Sequence, residues 1–334
     1  MKKEAMFYEK LEDGRVHCFL CPHNCRIVEG KLGICRVRRN EGGTLYSLVY
    51  GKAVSASVDF IEKKPLYHVA PGSKSYSIAT VGCNFRCRHC QNWSISQATE
   101  IVGQELPPEQ VVENALRTGC DSIAYTYTEP TIFFEYAYDT AVLAHKKGLK
   151  NIFVTDGFTT EQPIRKIEPY LSAANVDLKG FTEEFYRNVC GASLQPVLDA
   201  IKLYHELGIW LEITTLIIPG YNDSMDDLRG IAQFISDLDP DIPWHVSGFY
   251  PTYKLTDAPP TSVQILRKAV EIGKEAGLKY VYEGNVREGI DTSCPSCGET
   301  LIVRDGFQVL QNRVKDGKCP QCGAEIAGVD LSKK

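Results

Sequence analysis

The 334-residue sequence lacks any apolar run long enough to cross a bilayer. Its longest, such as residues 213–219, fall far short of the ~20 residues a membrane helix needs. An excess of positive charge is also missing: 42 acidic against 37 basic residues leave a net charge of −5, which gives no electrostatic reason to expect nucleic acid or anionic membrane as a partner. The opening stretch MKKEAMFYEKLEDGR has the lysines of an export leader without the apolar segment that should follow them, so a cytoplasmic location is expected. There is no low-complexity segment and no internal repeat beyond an alternation of strand-like and helix-like stretches. What remains is an ordinary globular composition, 43% apolar and 24% charged, in a chain that can bury a large core without staples.

One residue type is abundant. Thirteen cysteines are many for a chain expected in a reducing compartment, and eleven of them fall in tight groups. These are Cys18/Cys21/Cys25/Cys35, Cys83/Cys87/Cys90, and Cys294/Cys297 with Cys319/Cys322; only Cys120 and Cys190 stand alone. Thiols clustered at two- and three-residue spacing read as metal ligands rather than disulfides.

Between residues 75 and 284, strand-like stretches (76–81, 122–127, 152–155, 175–178, 210–217, 245–250 and a weaker 279–282) alternate with amphipathic ones. Gly148, Gly208 and Gly277 follow the helical stretches, and Pro108 and Pro163 fall near helix starts. Such alternation predicts an α/β domain with a parallel sheet covered by helices. The expected organisation is an N-terminal cysteine-rich β lobe over 1–74, a partial (β/α)6 TIM-type barrel over 75–290, and a zinc-ribbon or rubredoxin-like module over 291–334.

The first barrel strand runs into CNFRCRHCQNW, a C-x3-C-x2-C loop. Three thiolates on one loop hold three corners of a cubane cluster and leave the fourth iron open, whereas structural zinc and electron-transfer clusters normally take four ligands. The competing reading is a zinc site completed by His89 or His68. Unusual polar residues follow at the carboxyl ends of later strands, where α/β barrels place their sites: Thr128 and Glu129 in YTYTEP, Asp156 in TDGF, and Asp177 and Lys179 in DLKG. Further along are Ile217 with Ile218, Tyr221 and Asn222 in LIIPGYND, and His245, Tyr250, Tyr253 and Lys254 in WHVSGFYPTYKL. Each has a structural alternative. Glu129 fits a helix-start carboxylate, Asp177 and Lys179 a buried ion pair, and His245 a satisfied core histidine.

CNFRCRHC resembles the signature of radical S-adenosylmethionine (SAM) enzymes. The order CNFRC, YTYTEP, TDGF, DLKG, LIIPGYND, HVSGFYPTYK and YVYEGN is similar to the pyruvate formate-lyase activating enzyme-like branch. The leading CFLCPHNC…GICRVRRN and IEKKPLYHVAPG resemble the AmmeMemoRadiSam system group. The resemblance spans about residues 14–290 and implies a 4Fe–4S cluster on Cys83, Cys87 and Cys90 whose open iron chelates SAM. Reductive cleavage then gives a 5′-deoxyadenosyl radical that abstracts hydrogen from a substrate. It further implies that His89, Thr128, Glu129, Asp156, Asp177, Lys179, Ile217 and His245 bind SAM. A one-electron donor such as flavodoxin or ferredoxin, and proteins of the co-travelling families, are the implied partners.

The knuckles Cys294-Pro-Ser-Cys297-Gly and Cys319-Pro-Gln-Cys322-Gly fit a tetrahedral zinc site. Cys18, Cys21, Cys25 and Cys35 admit zinc, the favoured reading, or an auxiliary Fe–S cluster, with His17 and His23 as substitute ligands. The functional expectation is SAM cleavage followed by hydrogen abstraction from an unidentified small molecule or peptide, with activation of a glycyl radical protein as the alternative. A multi-zinc scaffold without SAM chemistry is the remote rival.

Overall fold

The computed structural model describes residues 2–286 and 289–332; the end of the polar tail expected over 331–334 lies outside them. Seven parallel strands form the core of one open sheet: Lys74–Ala79, Ser122–Tyr125, Lys150–Thr155, Ala173–Asp177, Trp210–Ile217, Trp244–Gly248 and Val281–Gly284. They are paired in simple chain order, each with the one before it. Helices Pro108–Arg117, Phe134–Lys146, Glu161–Ile167, Gln195–Glu206, Met225–Leu238 and Val263–Glu275 lie between them. Strands such as Ser122–Tyr125 are buried along their whole length because both faces are covered. The helix starts are set locally: Ser224 and Ser262 accept the backbone N–H of Asp227 and Ile265, caps worth about 1 kcal/mol each.

Two differences from the sequence expectation concern the sheet's edges. Six barrel strands were expected, yet the weak seventh signal is a full parallel strand. The eighth member, Ser55–Phe60, was assigned to the N-terminal lobe and instead pairs antiparallel with Lys74–Ala79. Its alternation of half-buried and exposed residues is that of an edge strand with one covered face.

Besides strand Lys52–Ala53, which pairs antiparallel with Gln104–Glu105, the rest of the N-terminal region holds two small three-stranded antiparallel sheets. A buried ion pair bolts them to helix Phe134–Lys146. Arg38 Nη2 lies 2.6 Å from both carboxylate oxygens of Glu135, and Glu135 Oε1 also accepts the N–H of Met6 at 2.6 Å. Removing one member of such a pair leaves a bare buried charge and costs about 3–5 kcal/mol.

At the other end, the hairpin Thr300–Asp305 and Gln308–Asn312 is tied to the segment that precedes strand Lys74–Ala79. Arg304 donates to Ile290 O, Thr292 Oγ1 and Tyr67 O and lies over the Tyr67 ring. His68 donates from Nδ1 to Ala327 O and accepts at Nε2 from the Tyr282 hydroxyl, both at 2.6 Å. Burial pushes its pKa down to about 4, so the ring is neutral. Glu212 accepts the N–H groups of Tyr67 and His68, and His245 Nε2 lies 2.7 Å from its Oε2. His245, expected to close the polar set around SAM, is thus the second residue of its strand, at the amino-terminal end. Its ring packs on Tyr67 and Tyr282.

Candidate active site

The turn after strand Lys74–Ala79 carries the three central cysteines, and the loop is shaped largely from outside itself. Arg86 N–H donates to Cys190 O at 2.7 Å and Arg88 N–H to Val189 O at 2.9 Å. Both acceptors belong to the π-helical turn Tyr186–Cys190, which follows DLKG. That turn ends on Gly191 in the left-handed region at φ 73°, where a Cβ would stand 3.2 Å from Arg86 Cβ.

Each sulfur has a polar neighbour. The Phe85 N–H points at Cys83 Sγ from 3.3 Å, and the Ser96 hydroxyl lies 3.2 Å from Cys90 Sγ. Asp156 Oδ2 is 3.8 Å from Cys83 Sγ. Burial pushes the Cys83 thiol well up, helped by the charges of Asp156 and Glu129. Cys87 is raised by its hydrogen bond with Cys190 and then by burial. Thiols so placed become thiolates when a metal supplies the countercharge.

The sulfurs open on a cavity of about 570 Å³ lined by residues from the carboxyl ends of successive strands. Thr128, Asp156, Asp177, Lys179 and His89 of the expected set are all on its wall. Lys179 Nζ pairs with Asp177 Oδ2 at 2.7 Å, so the charges neutralise each other while both face the cavity. His89 is buried with Nδ1 unpartnered, and burial, then the Lys179 charge, lowers its pKa to about 3. A neutral ring with a free nitrogen at the wall is ready for a ligand.

Glu129 and Ile217 are placed differently. Glu129 is fully buried behind the wall, accepting from Thr131 N, Thr155 Oγ1 and Asp156 N, each at 2.8 Å; its carboxylate caps a short turn and orients Asp156. Ile217 points away from the cavity, and its neighbours on the opposite phase, Thr214 and Leu216, line it.

Several wall residues escaped the sequence reading. Tyr127, held at φ 65°, sends its hydroxyl to Asp59, which also pairs with Lys63 and Lys64. Burial opposes the Asp59 charge, but these partners outweigh it and hold the carboxyl well below its usual range. Lys63 and Asn285 come from the two edges of the sheet, and Phe307 from the tip of the C-terminal hairpin. Tyr127, Lys63 and Asn285 lie inside YTYTEP, IEKKPLYHVAPG and YVYEGN without standing out there, and no local motif announces Phe307.

The outer cysteine groups differ. The four C-terminal sulfurs lie within 4.8 Å of one another, with Cys294–Cys322 at 3.6 Å and Cys297–Cys319 at 3.7 Å, a tetrad sized for one metal ion. Among the described residues no other three potential ligands converge so closely.

The fold and this loop define an α/β protein with three cysteines beside a polar cavity. The model of the radical SAM superfamily matches residues 77–235, so the chain carries a radical SAM domain. It is 48% identical over 331 residues to an uncharacterized protein of Methanocaldococcus jannaschii, covering 97% of this chain and 98% of that one. It is 21% identical over 223 residues to the pyruvate formate-lyase 1-activating enzyme of Escherichia coli K12, covering 60% of this chain and 89% of that one. Among solved structures, SuiB of Streptococcus suis bound to S-adenosylmethionine superposes with a TM-score of 0.52 at 13% identity, over 67% of this chain and 53% of that one. That likeness speaks to the fold.

Proposed function

We propose that the chain binds a 4Fe–4S cluster through Cys83, Cys87 and Cys90, cleaves SAM reductively, and abstracts hydrogen from a small-molecule or peptide substrate. One observation carries the reading: three cysteines on one loop open directly onto a cavity whose wall holds His89, Asp156, Asp177 and Lys179. When bound, the cluster supplies the electron that splits the sulfonium and yields a 5′-deoxyadenosyl radical. The chain's own residues do the rest. Glu129 fixes Asp156 in place, the Asp177–Lys179 pair offers both charges to an amino-acid zwitterion, and His89 presents an unpartnered nitrogen. Thr128 is tied by its hydroxyl to Thr80 O, which steadies the wall opposite. The C-terminal tetrad is read as a zinc site.

The leading cysteine segment supports placement in the AmmeMemoRadiSam system group. A second reading, activation of a glycyl radical protein, is favoured by the similarity to the Escherichia coli activating enzyme. Either version requires an external one-electron donor, such as flavodoxin or ferredoxin.

The test is to reconstitute the protein anaerobically with iron and sulfide, add dithionite and SAM, and measure 5′-deoxyadenosine. None released sinks the proposal. A persistent glycyl doublet by electron paramagnetic resonance on an added partner protein would select the second reading.

A further inference from the structure

The N-terminal cysteines stand apart from everything used so far, and the structure packs them directly against the central loop. We propose that Cys18, Cys21, Cys25 and Cys35 hold a second Fe–S cluster, which passes electrons from an acidic, low-potential carrier protein to the Cys83 loop.

Four observations bear on the site itself. Cys18 and Cys25 are direct cross-strand partners, and Gly33 and Cys35 close over them from the following turn; a Cβ on Gly33 would stand 3.8 Å from Cys25 Sγ. Three backbone N–H groups, of His23, Ile34 and Val37, point at the sulfurs of Cys21, Cys25 and Cys35. The fully buried guanidinium of Arg38 sits beside Cys18 and Cys35. Amide donors suit a thiolate cluster of net negative charge in a low-dielectric site, and the guanidinium alongside is itself paired with Glu135. Finally, Cys18, Cys25 and Cys35 lie close enough to Cys21 for their charges to act on it.

The connection to the active site is equally specific. His23, two residues after Cys21, donates from Nε2 to Asn84 O at 2.8 Å, and Asn84 adjoins Cys83. Arg86 donates through Nη2 to Ile34 O, next to Cys35, and through Nη1 to Cys83 O at 2.7 Å. Gly82, at φ 94°, lies so close that a Cβ there would meet Cys35 O at 2.8 Å and Val37 Cγ1 at 2.6 Å. Three separate contacts therefore join residues flanking the N-terminal ligands to residues flanking Cys83, and two are hydrogen-bonded bridges.

On the outer side, Val28, Leu32 and Ile34 are exposed apolar residues next to the half-buried Cys25. Arg26, Lys31 and Arg36 stand exposed among them; of the nearby acids, Glu29 is engaged with the N–H groups of Gly42 and Gly43 and Glu9 with His17. An apolar patch ringed by basic residues suits an acidic carrier. The transfer is a one-electron step with no group moved. The reduced carrier loses one electron, the N-terminal cluster gains and releases it, and the centre on the Cys83 loop is reduced by one. The inference rests on the reading of that loop as a redox centre.

Two full-length variants test it. In Cys83→Ala/Cys87→Ala/Cys90→Ala, reconstituted anaerobically, about four irons and four sulfides per chain should remain, with a paramagnetic signal after dithionite. Zinc in their place, or no iron, overturns the second cluster whatever the central loop does. In Cys25→Ser, 5′-deoxyadenosine formed with dithionite should stay within roughly twofold of wild type, while formation driven by reduced flavodoxin should fall roughly tenfold or more. Equal loss with both reductants, or loss with neither, overturns the relay. If Cys25→Ser fails to fold by circular dichroism, His23→Leu replaces it. That variant keeps all four cysteines and should retain full iron content while losing the flavodoxin-driven rate selectively. Absence of product from wild type with dithionite would instead count against the SAM reading alone.

Discussion

The C-terminal cysteines and the central cysteines are both short-spaced thiols on turns, but they close on different things. The four C-terminal sulfurs close on each other within 4.8 Å, and two of them are exposed to solvent. The three central sulfurs close on a cavity, each with a hydrogen-bonding neighbour of its own. Ligand number separates a site that finishes a fold from one that leaves a coordination position for chemistry. The surroundings say the same: charged and polar residues from five strand ends converge on the central group, and only a small hairpin module surrounds the other.

The largest effect should come from breaking the central side of this contrast. Cys83→Ala/Cys87→Ala/Cys90→Ala should lower 5′-deoxyadenosine formation by roughly a thousandfold or more, with metal on the C-terminal tetrad retained; zinc analysis and product assay read both. Cys297→Ser/Cys322→Ser should do the reverse. It should release about one zinc per chain and lower the melting temperature by an amount worth several kcal/mol, while dithionite-driven SAM cleavage stays within roughly twofold. A large loss of cleavage there would erase the distinction.

The junction between the regions gives a smaller, pH-dependent effect. His68 is held neutral with its pKa lowered to about 4 from 6.5, so its contribution is complete above pH 6.5 and is lost as pH falls through about 4. That amounts to about 3 kcal/mol, and His68→Gln should flatten this part of the thermal-stability profile between those values. Smallest of all, Phe307→Ala should leave SAM cleavage without substrate unchanged and raise the KM of the hydrogen-donating substrate a few-fold, on the order of 1 kcal/mol. No change in KM would make the hairpin tip a bystander.

Much of this was legible in the chain. Helices Pro108–Arg117 and Met225–Leu238 and strand Trp210–Ile217 stand where apolar periodicity and capping residues put them. The central motif was legible because metal chemistry writes its spacing into consecutive residues. What escaped was phase and distance. Ile217 and Leu216 differ by one residue and point to opposite faces, and a strand end buried on both faces has no polar alternation to show which faces in. His245 sits among polar-rich strand ends in sequence, yet its place in the register puts it at the amino-terminal end of its strand beside Glu212. Lys63, Asn285 and Phe307 come from three distant segments, so only the folded chain brings them to one wall.

The π-helical turn Tyr186–Cys190 has a consequence for how such a chain can vary over time. Because its carbonyls at 189 and 190 hold Arg86 and Arg88, two stretches about a hundred residues apart share one mould. A one-residue insertion or deletion between Tyr186 and Gly191 would slip those carbonyls out of step and misshape the cysteine loop without touching a cysteine. The length of the turn therefore constrains the shape of the cysteine loop as much as the spacing of the thiols does.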